Sequence, residues 1–189
     1  MSIMKYPIGI QTYEKIREDG FVYVDKTDMI YRLVTEGKIY FLSRPRRFGK
    51  SLLLSTIDAY FRGRKELFEG LKIDALETEW KEYPVIRIDL GTGNYLSVHT
   101  LETVLDARLK EWEEKYGLEN DVADYSLRFE KLLRIIHEQT GLPVVVLVDE
   151  YDKPLLDVMD VECYVDDHGR KISLEEYNQI GRASCRERV

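Results

Sequence analysis

The feature that most restricts the fold of this chain is an uninterrupted apolar run at residues 144–148, which follows Pro143 and ends at the acidic pair Asp149 and Glu150. A strand with one face in water alternates apolar and polar residues. A run without alternation is instead typical of a parallel strand that helices cover on both faces. Open α/β sheets bind their ligands at the carboxyl ends of such strands. The run therefore predicts a central parallel strand with Asp149 and Glu150 at the ligand-binding edge.

Further strands are predicted at residues 39–42 and, after Pro84, at residues 85–90. Helices are predicted from apolar residues that recur at steps of three and four, and from residues that begin and end helices. Four helices are predicted. Asp25 or Thr27 caps the first, which a left-handed Gly37 ends, and the second lies at residues 52–61 before Gly63. The third runs from Val98 to Gly117, and Ser126 caps the fourth, which ends at Gly141. The alternation of elements predicts an α/β fold with a mainly parallel sheet flanked by helices.

A candidate phosphate-binding loop lies between the predicted strand at residues 39–42 and the predicted helix at residues 52–61. Its sequence is Arg44-Pro45-Arg46-Arg47-Phe48-Gly49-Lys50-Ser51. The Walker A pattern is Gly, four residues, Gly-Lys and then Ser or Thr, so its second half matches and Arg44 stands in place of the first glycine. Gly49 permits close approach of the backbone to phosphate. Lys50 can neutralise phosphate charge, and the Ser51 hydroxyl can bind Mg²⁺.

The acidic pair after the central strand supplies the second half of a nucleotide site. Asp149 is expected to hold Mg²⁺, usually through water, and Glu150 to orient or deprotonate the attacking water. Each half alone is weak evidence, because Gly-Lys-Ser often only starts a helix and Asp-Glu is often only an acidic turn. Together they predict a nucleotide site, with Ser51 and Asp149 about 4 to 7 Å apart across one metal ion or water. They also require the strands at residues 39–42 and 144–148 to lie parallel in one sheet.

Several other residues have two interpretations each. Arg46 and Arg47 could contact phosphate or a partner, or could be solvated loop charges. Residues 23–27 could line the adenine pocket, or could only form a strand and a helix cap. Asp89 could face the γ-phosphate or begin a turn, and Asp152 could assist catalysis or satisfy neighbouring backbone amides. These alternatives stay open at the level of sequence.

Three segments, residues 21–27, 41–52 and 148–155, resemble the AAA-ATPase-like family of bacterial proteins, and the resemblance extends over nearly all of residues 6–178. It implies a P-loop NTPase fold with ATP and Mg²⁺ as ligands. An arginine such as Arg44 is normal at the first Walker position in this family. The expected nucleotide-binding residues are Arg44, Arg46, Arg47, Phe48, Gly49, Lys50, Ser51 and Leu52; the expected catalytic residues are Lys50 and Glu150; and the expected metal ligands are Ser51 and Asp149.

The resemblance also has implications for the length of the domain. Chains of this family usually continue with a sensor strand, a helical region and often a C-terminal nuclease-like domain, through which nucleic acid would be a partner. Residues 180–189 match a common sequencing adapter when they are written as codons. We therefore expect the N-terminal part of an ATPase domain at residues 1–179, truncated before the sensor strand, and a tail that is not native. Two alternatives stand beside the ATPase: a nucleotide-dependent switch for an attached nuclease-like effector, and an inactive truncated fragment.

Composition argues against several other classes of protein. The formal net charge of −7 does not suit a surface that binds nucleic acid throughout. Cys163 and Cys185 have no partners at metal-ligand spacing and do not suggest a disulfide framework. No apolar run reaches membrane-spanning length, so we expect a soluble cytoplasmic protein with no membrane partner. Residues 166–169 are interpreted as an exposed turn, a hairpin tip, rather than a metal loop.

Overall fold

The computed structural model describes residues 5–43, 48–95, 97–119, 122–159, 163–165 and 170–173. Its α-helices are α1 (Tyr13–Glu18), α2 (Thr27–Glu36), α3 (Lys50–Phe61), α4 (Val98–Lys115), α5 (Tyr125–Thr140) and α6 (Lys153–Met159). Its strands are β1 (Val85–Asp89), β2 (Val145–Asp149), β3 (Cys163–Val165) and β4 (Lys171–Ser173), and 3₁₀ turns occupy Lys65–Leu67 and Lys72–Ala75. Helices and strands are mixed along the chain, which is consistent with the predicted α/β fold.

The chain divides into two compact units. The first unit comprises Met1–Arg87 and Ile136–Asp149, and the second comprises Ile88–Ile135 and Glu150–Val189. The boundary passes between the two residues of the predicted acidic pair, so that one carboxylate belongs to each unit.

The core of the first unit is rich in aromatic side chains. The ring of Phe68 lies 5.0 Å from that of Tyr13 and 5.2 Å from that of Trp80, measured between centroids. Tyr13 also ties α1 to its surroundings, since its hydroxyl donates to the Leu67 carbonyl and its amide donates to the Ser55 hydroxyl, both at 2.9 Å. The buried core cluster is Tyr13, Ile30, Ile57, Ala59, Leu67, Phe68, Ile73, Val85 and Leu147. Helix α3 and strand β2 therefore share one core.

Strands β1 and β2 pair in a two-stranded parallel sheet. The pairing begins where the Val145 amide donates to the Pro84 carbonyl at 2.9 Å. The strands predicted at residues 85–90 and 144–148 are thus confirmed to within one residue at their ends.

The expectation that both faces of β2 are covered is wrong. Leu147 and Asp149 are buried, whereas Val146 and Val148 on the opposite face are exposed. An apolar sequence permits burial on both faces, but burial also requires an element packed on each face.

The strand predicted at residues 39–42 is not formed. Residues 39–43 have no regular secondary structure, and Ile39 and Phe41 are 94% and 73% exposed. The expectation that this segment lies parallel to β2 in one sheet is therefore wrong. A strand exists only through hydrogen bonds to a neighbouring strand, and a short apolar run supplies suitable side chains without supplying that neighbour.

Two helix-boundary predictions also require correction. Gly37 does not take the left-handed conformation, because its backbone is extended, with φ −154°, and a Cβ there would collide with the ring of Tyr40. Helix α5 is capped by Asp124 rather than by Ser126. One oxygen of the Asp124 carboxylate accepts the amides of Ser126 and Leu127 at 2.9 and 3.0 Å, so this residue satisfies two amides of the first turn.

In the second unit, α4 and α5 are joined by a buried ion cluster. Arg128 of α5 donates to both carboxylate oxygens of Glu113, at 3.0 and 2.8 Å, and to Asp106 at 2.5 Å. The side chains of Arg128 and Glu113 are each only 6% exposed. The bidentate geometry satisfies the guanidinium within the unit, as a buried ion pair requires.

The second unit also contains a hairpin. β3 and β4 pair antiparallel, with Cys163 opposite Ser173 and Val165 opposite Lys171. This agrees with the predicted hairpin, although its tip at residues 166–169 lies outside the described residues.

Candidate functional site

The Gly-Lys-Ser triplet forms the start of α3. Gly49 adopts the left-handed conformation, with φ 75° and ψ 24°, and Lys50 is the first helical residue. A side chain would strain this conformation, so glycine is the suitable residue at the turn. No side chain in the described part of the chain caps this helix start. The first backbone amides of α3 therefore present the positive end of a helix dipole, the arrangement that suits an anion.

The rest of the predicted phosphate loop is only partly described. Arg44, Arg46 and Arg47 lie outside the described residues, so convergence of the loop amides on one point stays a prediction. Phe48 is 64% exposed, while Leu52 packs against the core of the first unit. A role for Leu52 in nucleotide binding could therefore involve its backbone amide but not its side chain.

Asp149 ends β2 with a buried carboxylate in the same unit as α3. Its Oδ2 lies 3.8 Å from Nη2 of Arg87, and Nη1 of Arg87 lies 3.9 Å from Oδ2 of Asp58 on α3. The Gly-Lys-Ser triplet and Asp149 thus belong to one packed unit. The expected separation of about 4 to 7 Å between Ser51 and Asp149 stays a prediction.

Glu150 has a strained backbone. It is one of two residues other than glycine with positive φ in the described part of the chain, at φ 52°. Such a conformation costs roughly 1–3 kcal/mol and persists only where the surroundings impose it. Within the second unit, a Cβ on Gly91 would approach Cγ of Glu150 to 3.4 Å, and the Lys153 amide donates to the Glu150 carbonyl at 3.0 Å. The hydrogen bond to its carbonyl therefore helps to fix the backbone of Glu150.

Asp89 and Asp152 each had two interpretations, and the structure gives a different outcome for each residue. Asp89 Oδ1 accepts the amide of Gly91 at 2.7 Å, which is the turn role that the sequence allowed. Asp152 Oδ1 is buried without a hydrogen-bond partner among the described residues, so this atom does not satisfy backbone amides. Assistance to Glu150 by Asp152 stays a prediction.

The sequence did not predict a group of contacts formed by Lys153, Asp157 and Tyr95. Lys153 Nζ lies 2.8 Å from both carboxylate oxygens of Asp157, and Asp157 also accepts the amide of Tyr95 at 3.0 Å. The spacing of Lys153 and Asp157, four residues apart on a helix, is a signal for such a pair. Tyr95 carries no local signal. Its side chain is fully buried, and burial raises the pKa of its phenol.

Within residues 23–27, Asp25 caps helix α2, and the alternative that this segment lines an adenine pocket stays a prediction. Asp25 Oδ1 accepts the amide and hydroxyl of Thr27 at 2.9 and 2.7 Å, and Asp25 Oδ2 accepts the Lys72 amide at 2.8 Å. Burial raises the pKa of Asp25, but these hydrogen bonds outweigh it and hold that pKa below its usual value. The Asp25 carboxylate thus stabilises the fold through these hydrogen bonds.

The donor atoms of Ser51 and Asp149 suit magnesium chemically. Both offer oxygen, and Mg²⁺ is typically held by one or two carboxylates while water and substrate phosphates complete its octahedron. The described residues contain no cluster of three or more His, Cys, Asp or Glu side chains that could hold a metal ion alone. The donor set therefore fits a metal that arrives with a phosphate ligand.

Comparisons with known proteins identify the family of the chain. A family model described as "Predicted AAA-ATPase" matches residues 7–183. The chain belongs to this AAA-ATPase-like family, as its sequence motifs predicted.

A protein of Azotobacter chroococcum mcd 1, called "Uncharacterized protein in vnfD 5'region", is 46% identical over 158 residues. The match covers 83% of this chain and 31% of that protein. No solved structure matches the chain. None of the described helices is both long and apolar enough to cross a membrane.

Proposed function

We propose that this chain binds ATP together with Mg²⁺ and hydrolyses it, as a P-loop ATPase core. The observation that supports the proposal best is the start of α3. Left-handed Gly49 opens the helix ahead of Lys50 and Ser51, and α3 shares a core with the strand that ends at Asp149. An uncapped helix start with an adjacent lysine suits a phosphate group, and a carboxylate in the same unit suits its metal ion.

In this proposal, each residue has a separate task. The Lys50 ammonium neutralises charge on the β- and γ-phosphates, and the α3 amides donate to phosphate oxygens. Ser51 and Asp149 hold Mg²⁺, which when bound would neutralise charge that develops on the transferring phosphoryl group. Glu150 accepts a proton from, or orients, the water that attacks the γ-phosphate.

The strain at Glu150 supports its assignment. Unfavourable backbone conformations cluster at functional positions, because there the surroundings must place a side chain that an unstrained backbone would direct elsewhere. The positive φ of Glu150 is of this kind.

The experiment that tests the binding role compares Lys50→Ala with Lys65→Ala. Lys65 is an exposed lysine of the same unit and serves as a matched control. Loss of a charge-assisted hydrogen bond should weaken ATP binding roughly 10- to 100-fold in Lys50→Ala and leave Lys65→Ala unchanged. The dissociation constant is measured by calorimetry with a non-hydrolysable ATP analogue and Mg²⁺. Equal ATP affinity in both variants would contradict a phosphate-binding role for Lys50.

The catalytic role is tested with Glu150→Gln, with Glu69→Gln as an exposed control. The glutamine keeps the shape of the side chain but not its basicity, so we expect unchanged ATP affinity and a loss of turnover of about 100-fold or more. If the parent chain binds ATP tightly and hydrolyses it slowly, and Glu150→Gln does not change the rate of hydrolysis, the nucleotide-dependent switch would be favoured instead.

A further inference from the structure

Arg87 stands between two carboxylates that belong to different elements of the first unit. It lies in β1, with one guanidinium nitrogen 3.8 Å from Asp149 of β2 and another 3.9 Å from Asp58 of α3. A charge-assisted hydrogen bond between such groups would be about 2.7–2.9 Å long. The guanidinium is therefore attracted to both carboxylates without being locked onto either.

The three side chains differ in exposure and in other partners. Asp149 is the most buried, with 6% of its side chain exposed, against 17% for Asp58 and 31% for Arg87. Asp58 has a second cation, because Arg62 lies 2.6 Å from its other carboxylate oxygen. A charge costs more free energy the more deeply it is buried, so the electrostatic demand for a compensating cation is greater at Asp149 than at the less buried Asp58.

We propose that Arg87 is a positioning residue that serves as a replaceable counterion for Asp149. It balances the carboxylate while no metal is bound, and it shifts toward Asp58 when Mg²⁺ occupies Asp149. The inference rests on the proposed function, because it takes Asp149 as a metal ligand. Two cations close to one buried carboxylate repel each other, and Asp58 offers the displaced guanidinium an acceptor within reach.

The shift of the Arg87 guanidinium would couple the metal site to α3. Asp58 and Lys50 belong to the same helix, and Lys50 begins it beside the candidate phosphate site. When the guanidinium moves toward Asp58, the attraction between β1 and α3 increases. Metal occupancy at the end of β2 is thereby coupled to the helix that would hold the phosphates.

The test compares Arg87→Met with Arg62→Met in the full chain. Both changes remove an arginine that pairs with Asp58, but only Arg87 also pairs with Asp149. In EDTA, Arg87→Met should lower Tm by about 5 °C more than Arg62→Met, because the more buried carboxylate loses a counterion. Mn²⁺ is then titrated by electron paramagnetic resonance in the presence of a non-hydrolysable ATP analogue. Arg87→Met should bind Mn²⁺ roughly threefold to tenfold more tightly than the parent chain, because the competing cation is gone.

A merely structural Arg87 would give a different result. Its loss would lower Tm equally with and without metal, and it would leave Mn²⁺ affinity unchanged or weaker, which would overturn the proposal. Asp149→Asn separates this failure from failure of the proposed function. If Asp149→Asn removes the Mn²⁺ response while Arg87→Met does not tighten it, only the counterion role is wrong. If Asp149→Asn has no effect on Mn²⁺ affinity, the metal-binding role of Asp149 is wrong and both proposals fail.

Asp58→Asn provides a second route if Arg87→Met does not fold. This change removes the negative charge of the alternative partner and keeps Arg87, so the guanidinium should stay near Asp149 and oppose metal binding. We expect Mn²⁺ affinity to fall roughly threefold relative to Asp28→Asn, an acidic control elsewhere in the same unit. An affinity equal to that of the control would contradict the displacement of Arg87.

Discussion

The two units of this protein are stabilised in different ways. The first unit packs aromatic rings and aliphatic side chains around Phe68, and its buried charge, Asp149, stands at the candidate site. In the second unit, α4 and α5 are joined by a buried ion pair, Arg128 with Glu113, that is remote in sequence from every residue of the predicted site. In the proposed function the buried charge of the first unit binds a metal ion, whereas the buried charges of the second unit join two helices. Burial of a charge alone would not distinguish a charge that binds a ligand from a charge that joins two helices.

The largest expected effect is in the aromatic core of the first unit. Phe68 is fully buried between Tyr13 and Trp80, so Phe68→Ala should destabilise the protein by about 3–5 kcal/mol through lost burial and the cavity left behind. Urea unfolding followed by circular dichroism measures the change. Phe48→Ala, which removes an exposed ring, should alter stability by less than about 0.5 kcal/mol. Similar losses in the two variants would mean that Phe68 is not a core residue.

An intermediate effect is expected in the ion cluster of the second unit. Arg128→Met removes the guanidinium that pairs with buried Glu113 and should cost about 3 kcal/mol. Hydrogen exchange should show the loss of protection mainly in α4 and α5. The control Arg108→Met breaks a more exposed pair with Glu111 and should cost no more than about 0.5 kcal/mol.

A double variant sharpens this comparison. Adding Glu113→Gln to Arg128→Met removes the buried negative charge as well, so the double variant should be more stable than Arg128→Met alone. If it is less stable, the two side chains contribute separately and the buried ion pair is not what joins the helices.

The smallest expected effect is at the cap formed by Asp25, and it depends on pH. Asp25→Asn should cost about 1–2 kcal/mol at neutral pH, because asparagine keeps only one of the two oxygens that accept the amides of Thr27 and Lys72. The pKa of Asp25 is lower in the folded protein than its usual value of 3.8. Its contribution is therefore fully present above pH 3.8 and is lost as pH falls through the lower folded pKa.

The measurement is urea unfolding at several pH values for the parent chain and Asp25→Asn. The stability difference between them should shrink as the pH falls below 3.8. Asp28→Asn, in which the lost carboxylate is exposed and pairs only with Lys72 in the contacts described, should show little difference at any pH. A difference that grows in acid would contradict the lowered pKa of Asp25.

Local sequence signals predicted α2, α3, α4, α5 and two of the strands, but not α1 or α6. The start of α2 follows from Asp25, and the start of α3 follows from Gly49, because capping and left-handed turns depend on residues that are neighbours in sequence. Pro84 and the apolar residues after Pro143 likewise marked the starts of β1 and β2. The family was also recognisable, since its motifs are contiguous stretches.

Only the tertiary structure decided which of these elements are covered and which charges meet. The apolar segment at residues 39–42 has the composition of a strand but no regular secondary structure. Val146 and Val148 are apolar residues of the kind found in cores, but they are exposed. Arg87 approaches Asp58 and Asp149 from β1, although these residues are far apart in the sequence. Strand pairing, burial and ion pairing are relations between distant residues, and a single sequence contains no local signal for them. The sequence by itself therefore determined four of the helices, two strands and the chemistry that Lys50, Ser51, Asp149 and Glu150 can perform, while packing determined the surroundings of each carboxylate.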